Sequence, residues 1–379
     1  MKRFVSFLLV LTLLTTIVVG CGKPADEGTS TPPEAQTPET EGTEEPSTEA
    51  GKITKLGLGQ NISIAKSADA EGDKTALGQA DVTIAAVGFD ADGKVASVTI
   101  DVAQTKIPFD KEMKVTVNRD EEVKSKKELK DDYGMKETSE KIGIGKEWYE
   151  QMEAFEEWMI GKTVDEITGL KVKERDESHP AVPDIPELTS TVTISVENYI
   201  AAVDEAWEKA VDVEGAETVG LGLKTSIASS KDLEVDKDGK EVLPLAQADT
   251  TMTATAFDAD GKVVGTIIDV AQVKIEFDKD GKVTTDKTAE LKTKHELKYD
   301  YNMKETSEKI GIGKEWFEQM EEFQNWMVGK TVDEITGLKV KERDEKHKSV
   351  PDIPELTSTV TMTVESYLEV VQRAFDNKR

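Results

Sequence analysis

Cysteine is almost missing from this chain of 379 residues; the single one is Cys21. One cysteine excludes an internal disulfide and any CxxC redox or zinc motif, so stability has to come from packed cores. Histidine is nearly as scarce, with His179, His295 and His347 only. No two of them stand at metal-ligand spacing, and HExxH, GxSxG, Walker and GxGxxG strings are all absent. A nucleophile, base and orienting group are therefore not visible as a set, and a hydrolase has little support. Positive charge is the minority: 48 Lys and Arg face 76 Asp and Glu, a formal charge of −28. Such a chain repels nucleic acid and anionic headgroups. After residue 20 no segment is apolar enough to cross a bilayer.

The one long apolar run is at the start. Lys2 and Arg3 precede residues 4–19, which are broken only by Ser6 and a few Thr, and the run ends in Val18-Val19-Gly20-Cys21. This is the layout of a secretory signal peptide. A small residue directly before a cysteine resembles the bacterial lipobox. The resemblance implies that residues 1–20 are removed and that Cys21 is lipidated. The protein would then be anchored on the outer face of the cytoplasmic membrane, or at the outer membrane if the cell has one. Loss of Lys2 and Arg3 leaves 46 basic against 76 acidic residues, a charge of −30. Residues 21–51 are Gly, Pro, Glu, Thr, Ser and Ala with almost nothing apolar, the composition of a disordered acidic tether.

The remainder repeats. Gly88-Phe89-Asp90-Ala91-Asp92-Gly93-Lys94-Val95 returns as Ala256-Phe257-Asp258-Ala259-Asp260-Gly261-Lys262-Val263, and Ile142-Gly143-Ile144-Gly145-Lys146-Glu147-Trp148 as Ile310-Gly311-Ile312-Gly313-Lys314-Glu315-Trp316. The offset is 168 in both, whereas Gly57-Leu58-Gly59 matches Gly220-Leu221-Gly222, which places a five-residue insertion early in the second copy. A period this long predicts tandem domains rather than a solenoid. The expected domains span 52–210 and 215–379, with almost no linker near 213–218.

Within each copy, residues 82–90 and 94–102 read as strands joined at Asp92-Gly93, a strong hairpin signal. The Asp-x-Asp-Gly string also resembles part of a calcium loop, but the later acidic ligands are missing, so the hairpin is preferred. A helix is predicted over about 146–160. Ile144, Trp148, Met152, Phe155 and Met159 form its apolar face, repeated as Ile312, Trp316, Met320, Phe323 and Met327. Gly161 and Gly329 close these helices. Thr163 with Glu166 has capping-box spacing for a short helix ending at Gly169. Residues 188–195 read as extended and lead into a helix with Val196, Tyr199, Ile200, Val203 and Trp207 on its apolar face. Gly57-x-Gly59 and Gly143-x-Gly145 are expected in turns. The mixture lacks a βαβ rhythm and predicts α+β: two homologous units, each a mostly antiparallel sheet with packed helices.

One string points to chemistry. Glu187-Leu188-Thr189-Ser190-Thr191-Val192-Thr193-Ile194-Ser195, placed before an amphipathic helix, is similar to the flavin-attachment motif of the FMN-binding domain family. That motif reads Asp-x-x-Ser-Gly-Ala-Thr-x-Thr. The family includes subunits of ion-pumping redox complexes and lipoproteins of extracellular electron transfer. In it, FMN is joined through its phosphate to the Thr hydroxyl by a flavin transferase. The resemblance implies Glu187 and Ser190 as flanking polar residues, Thr193 as the attachment site and Ser195 at the trailing hydroxyl. In the second copy the counterparts are Glu355, Ser358, Thr361 and Thr363. Thr191 and Thr359 replace the motif's Gly, and Val192 and Val360 its Ala, which adds bulk where a flavin would pack. Trp148, Trp316, Tyr133 and Tyr301 could wall a flavin, and Lys136 and Lys304 could neutralise its phosphate; for the two lysines, plain surface charge is the preferred use. The resemblance implies a flavin-linked extracellular electron carrier with redox partners. The alternative is a non-redox lipoprotein that binds a ligand or a surface partner on the same scaffold.

Overall fold

The structure, a computed structural model, describes residues 51–379. The signal peptide, Cys21 and the acidic segment lie outside the described residues. The first copy holds β1 (Lys55–Ser63), β2 (Leu77–Phe89), β3 (Val95–Pro108), α1 (Lys126–Leu129), α2 (Lys136–Glu140), α3 (Trp148–Met159), α4 (Val164–Thr168), β4 (Val172–Lys173), β5 (Val182–Pro183), α5 (Pro186–Thr189), α6 (Glu197–Glu208) and β6 (Val211–Asp212). The second holds β7 (Thr218–Ser226), β8 (Glu234–Val235), β9 (Glu241–Val242), β10 (Leu245–Phe257), β11 (Val263–Glu276), α7 (Lys294–Leu297), α8 (Lys304–Glu308), α9 (Trp316–Met327), α10 (Val332–Thr336), β12 (Val340–Lys341), β13 (Val350–Pro351), α11 (Pro354–Thr357) and α12 (Glu365–Asp376). The extra hairpin β8–β9 falls within the inserted stretch of the second copy.

Two antiparallel sheets carry the fold, ordered β3-β2-β1-β6 and β11-β10-β7. The central strands are apolar or small on both faces. On β2, Ala80, Val82, Ile84 and Ala86 face one core, while Ala85, Val87 and Phe89 face another. Such double-sided burial demands a cover on each side. One cover is a set of helices: Trp148, Met152, Phe155 and Met159 of α3 and Tyr199, Val203 and Ala206 of α6 pack on the first sheet. Trp316, Met320, Phe323 and Tyr367 do the same on the second. The other cover is the opposite sheet.

The two copies, whose expected bounds are 52–210 and 215–379, lie in one compact unit and share a common middle core. Phe109 and its repeat equivalent Phe277 meet each other at 5.0 Å between ring centroids. Polar bonds are exchanged reciprocally: Val115 N–H donates to Asp232 Oδ1 at 2.8 Å and Val283 N–H to Asp69 Oδ1 at 2.9 Å.

The Asp-Gly hairpin forms as read. Asp90 Oδ1 accepts from the N–H of Asp92 and Lys94, and Gly93 takes φ +76°, which only glycine adopts freely. Gly57 and Gly59 are not in a turn but in the middle of β1. A β-carbon at Gly59 would stand 2.0 Å from the Ala202 carbonyl oxygen. These glycines let α6 lie directly on the strand backbone.

Candidate functional site

The threonine motif folds differently from the extended segment expected. Pro186 sits at the N-terminus of the short helix α5, a turn follows at Ser190–Thr191, and residues 192–196 are irregular up to α6. The physical reason is local hydroxyl bonding. Thr189 Oγ1 donates to the Ile185 carbonyl at 2.5 Å and Thr191 Oγ1 to the Leu188 carbonyl at 3.2 Å, which satisfies helix-end groups that a strand would have paired elsewhere. The second half repeats the arrangement.

Glu187, Glu355, Ser190 and Ser358 are exposed on this turn. Thr193 and Thr361 instead face inward. The Thr193 N–H and Oγ1 both donate to the buried Gln151 Oε1, at 2.9 and 3.1 Å; Thr361 does the same to Gln319 at 2.9 and 3.2 Å. The glutamine is held in turn by its own Nε2, which donates to the Lys146 or Lys314 carbonyl. The Thr193 carbonyl accepts from Arg175 Nη1 at 2.7 Å and the Thr361 carbonyl from Arg343 Nη1 at 2.8 Å. Val192 and Val360, at the motif's Ala position, are core residues at 1% exposure. The motif thus splits, with the acidic residue and serine on the outside and the threonine on the inside.

In the second half Thr361 opens onto a cleft of about 300 Å³, lined among others by Lys294, Tyr301, Trp316, Arg343 and Thr363. Its walls are aromatic and its charges positive. Lys294 Nζ lies 5.0 Å from the Tyr301 centroid and 5.7 Å from that of Trp316. Trp316 Nε1 donates to Tyr367 Oη at 3.1 Å. The first half holds the matching set: Lys126 Nζ is 5.0 Å from Tyr133 and 5.1 Å from Trp148, and Trp148 Nε1 donates to Tyr199 Oη at 3.1 Å. Among the described residues neither lysine has a carboxylate within ion-pair distance. A half-buried cation set over rings with no ion-pair partner is unusual, because buried lysines are normally paired.

The lysines are placed by short capped turns. Ser125 and Thr293 accept from the N–H of Glu128 and Glu296, whose carboxylates accept from the cap N–H in return. Each turn is pinned to a sheet from below. Asp101 Oδ2 accepts from Ser125 Oγ at 2.6 Å and Oδ1 from the Lys127 N–H at 3.0 Å; Asp269 Oδ1 accepts from the His295 N–H at 3.1 Å. Burial pushes the Asp101 and Asp269 carboxyls up to about 6 against these bonds. Burial likewise pushes the Lys126 ammonium down to about 8. At Lys294 burial acts in the same direction, but the facing tyrosines and the more distant Asp249 outweigh it, and its affinity for the proton is raised.

Lys136 and Lys304 are exposed, so the lysines that reach the aromatic wall are ones the sequence reading did not select. The capping boxes were the available signal; they locate the turn but not the direction of the side chain. His179 and His347 sit in polar hairpins, each with Nδ1 on an aspartate, Asp176 at 2.6 Å and Asp344 at 2.7 Å. The hydrogen bond from His179 leads the causes that hold Asp176 at about 2. His295 stands elsewhere, against Phe317. Among the described residues no cluster of His, Cys, Asp or Glu could hold a metal ion, and no helix is long and apolar enough to cross a membrane.

Comparison with protein-family models, with curated proteins and with solved structures returned no match.

Proposed function

We propose that this is a lipid-anchored extracytoplasmic binding protein whose threonine-motif cleft takes an anionic aromatic ligand, with flavin mononucleotide the ligand that its motif resembles. The observation that carries the reading is the meeting of Thr361, Arg343 and the carboxylate-free Lys294 with the Tyr301 and Trp316 rings in one cleft of a strongly acidic chain. Pockets of roughly 300 to 1,000 Å³ with apolar walls and a few convergent polar groups are the usual form of small-molecule sites.

The residues fit a flavin nucleotide in charge and in wall chemistry. Lys294 and Lys346 would hold the phosphate, with Arg343 beside them tied to Asp344 and the Thr361 carbonyl, and Tyr301 with the rim of Trp316 would border the ring. The flavin, when bound, would supply one- and two-electron redox chemistry; the residues here would bind it and exclude water. Reversible binding fits better than the covalent link the resemblance implies, since the Thr361 hydroxyl is already given to Gln319 and Val360 is packed in the core. The same two features favour the non-redox ligand-binding alternative. The roles of electron donor, acceptor and flavin transferase belong to this proposal only in the redox form.

The test is the visible spectrum and intact mass of the mature protein purified from its native cells. Flavin absorbance released on denaturation is the expected result. Absorbance that stays with the chain, together with added mass on the peptides holding Thr193 and Thr361, would establish the covalent carrier instead. A colourless protein of unmodified peptide mass, unable to take up FMN, would sink the flavin reading.

A further inference from the structure

The two halves differ at the cleft in ways that bear on which can hold a charged ligand. This rests on the binding reading above. In the second half Thr363 Oγ1 is buried in the cleft wall and has no hydrogen-bond partner. A buried hydroxyl without a partner is unfavourable, and native proteins rarely leave one so. Its equivalent in the first half is not in want of a partner: Ser195 Oγ accepts from the Ala181 N–H at 3.2 Å. Thr363 is separated from α12 by the cap residue Val364, which carries no side-chain hydrogen bond, an arrangement that Val196 repeats before α6.

The charges differ in the same sense. The second cleft is lined by Lys294, Arg343 and Lys346, whereas the first half has Ser178 at the position of Lys346. Lys294 retains its proton more firmly than an ordinary lysine, and Lys126 less firmly. One half therefore presents Lys346 and an unused hydroxyl to the cleft; the other has Ser178 at that position, a hydroxyl already engaged, and its extra cation, Lys66, paired with Asp81 at 3.2 Å.

We infer that the chain carries one phosphate site, in the second-half cleft, where Lys294, Lys346 and the Thr363 hydroxyl receive the phosphate of the ligand, and that the first half does not bind it. The duplicated motif is then a duplicated scaffold with a single loaded cleft. A phosphomonoester matches the donors: it offers oxygens enough for two ammonium groups and a hydroxyl, and it carries close to two negative charges at neutral pH.

Calorimetric titration of the mature protein with FMN, and separately with inorganic phosphate, tests this. One FMN per chain is expected, with phosphate competing for the same site. Lys294→Met keeps an apolar stem against the rings and should weaken FMN at least tenfold; Lys126→Met should leave the titration unchanged. Lys346→Ser, at an exposed position that cannot disturb packing, should weaken FMN several-fold and serves where Lys294→Met folds poorly. Two equivalent sites, or loss of binding in Lys126→Met with none in Lys294→Met, would overturn the single-site inference while leaving the binding reading intact. No heat with either probe would overturn both.

Discussion

Gly222 lies against Val370 so closely that a β-carbon on it would stand 1.8 Å from the Val370 carbonyl oxygen. No rotation of a side chain relieves that contact, because the obstructing atom is helix backbone. The approach lets α12 settle on β7, and α12 begins at the cleft wall. Gly222→Ala should therefore destabilise the fold by about 3 kcal/mol, the upper part of the range for overpacking. Urea unfolding followed by circular dichroism measures it. An unchanged midpoint would mean that the helix can ride higher than the structure shows.

Gln319 should be as sensitive for a different reason. It is fully buried and accepts both the N–H and the hydroxyl of Thr361. Gln319→Leu leaves those donors without an acceptor at the cleft, which should destabilise by about 2 kcal/mol. FMN affinity should fall in the same variant, since Thr361 loses its anchor. A variant as stable as the parent would show that water replaces the glutamine without loss.

The buried carboxyls make stability depend on pH in a definite direction. Asp101 and Asp269 have folded-state values near 6, above the ordinary 3.8. Between those values the folded state binds more protons than the unfolded state, so the two groups stabilise fully below about 4 and lose that contribution as pH rises through about 6. The melting temperature of the parent minus that of Asp101→Asn should therefore fall as pH is raised from 4 to 7. A difference that rises with pH would show that the hydrogen bonds from Ser125 and Lys127 outweigh burial.

Across the seam between the halves, Glu156 is buried and accepts from Lys127 Nζ at 2.7 and 2.9 Å, from the Ile100 N–H at 2.5 Å and from Arg379. The second half has Gln324 in its place, bonded only to the Ile268 N–H at 2.5 Å among the described residues. Glu156→Gln would keep the backbone bond and leave two cations without their carboxylate, a loss of about 3 kcal/mol. Thermal unfolding should show it in the parent background; no change would mean that both cations reach solvent freely.

Much of this was legible from residues alone, and the limits have physical causes. The Asp-Gly hairpin, the apolar stripe from Trp148 to Met159 and the Thr163–Glu166 capping box all formed, because each depends on neighbours in sequence. Ile144 precedes its helix rather than extending it, since the capping box of Glu147 and Glu150 fixes the start at Trp148. The shared middle core was missed, although Ala85-Ala86-Val87 already carried the two-sided pattern of a sheet covered on both faces. The threonine segment was misread because strand propensity took no account of hydroxyls turning back onto helix carbonyls. Lys126 and Lys294 could not be singled out, since their contacts with Tyr133 and Tyr301, Trp148 and Trp316 join elements that only the tertiary fold brings together. Cys21 belongs to a region outside the described residues, and its lipidation stands as an expectation that loss of membrane fractionation in Cys21→Ser would support.

The most direct measurement is equilibrium dialysis of the purified protein against FMN and, in parallel, against riboflavin, which has the same ring and no phosphate. If a cationic, aromatic cleft at Thr361 is the working site, FMN is retained at least tenfold more tightly than riboflavin and the preference shrinks as salt is raised. Equal retention of the two, or retention of neither, would contradict the account.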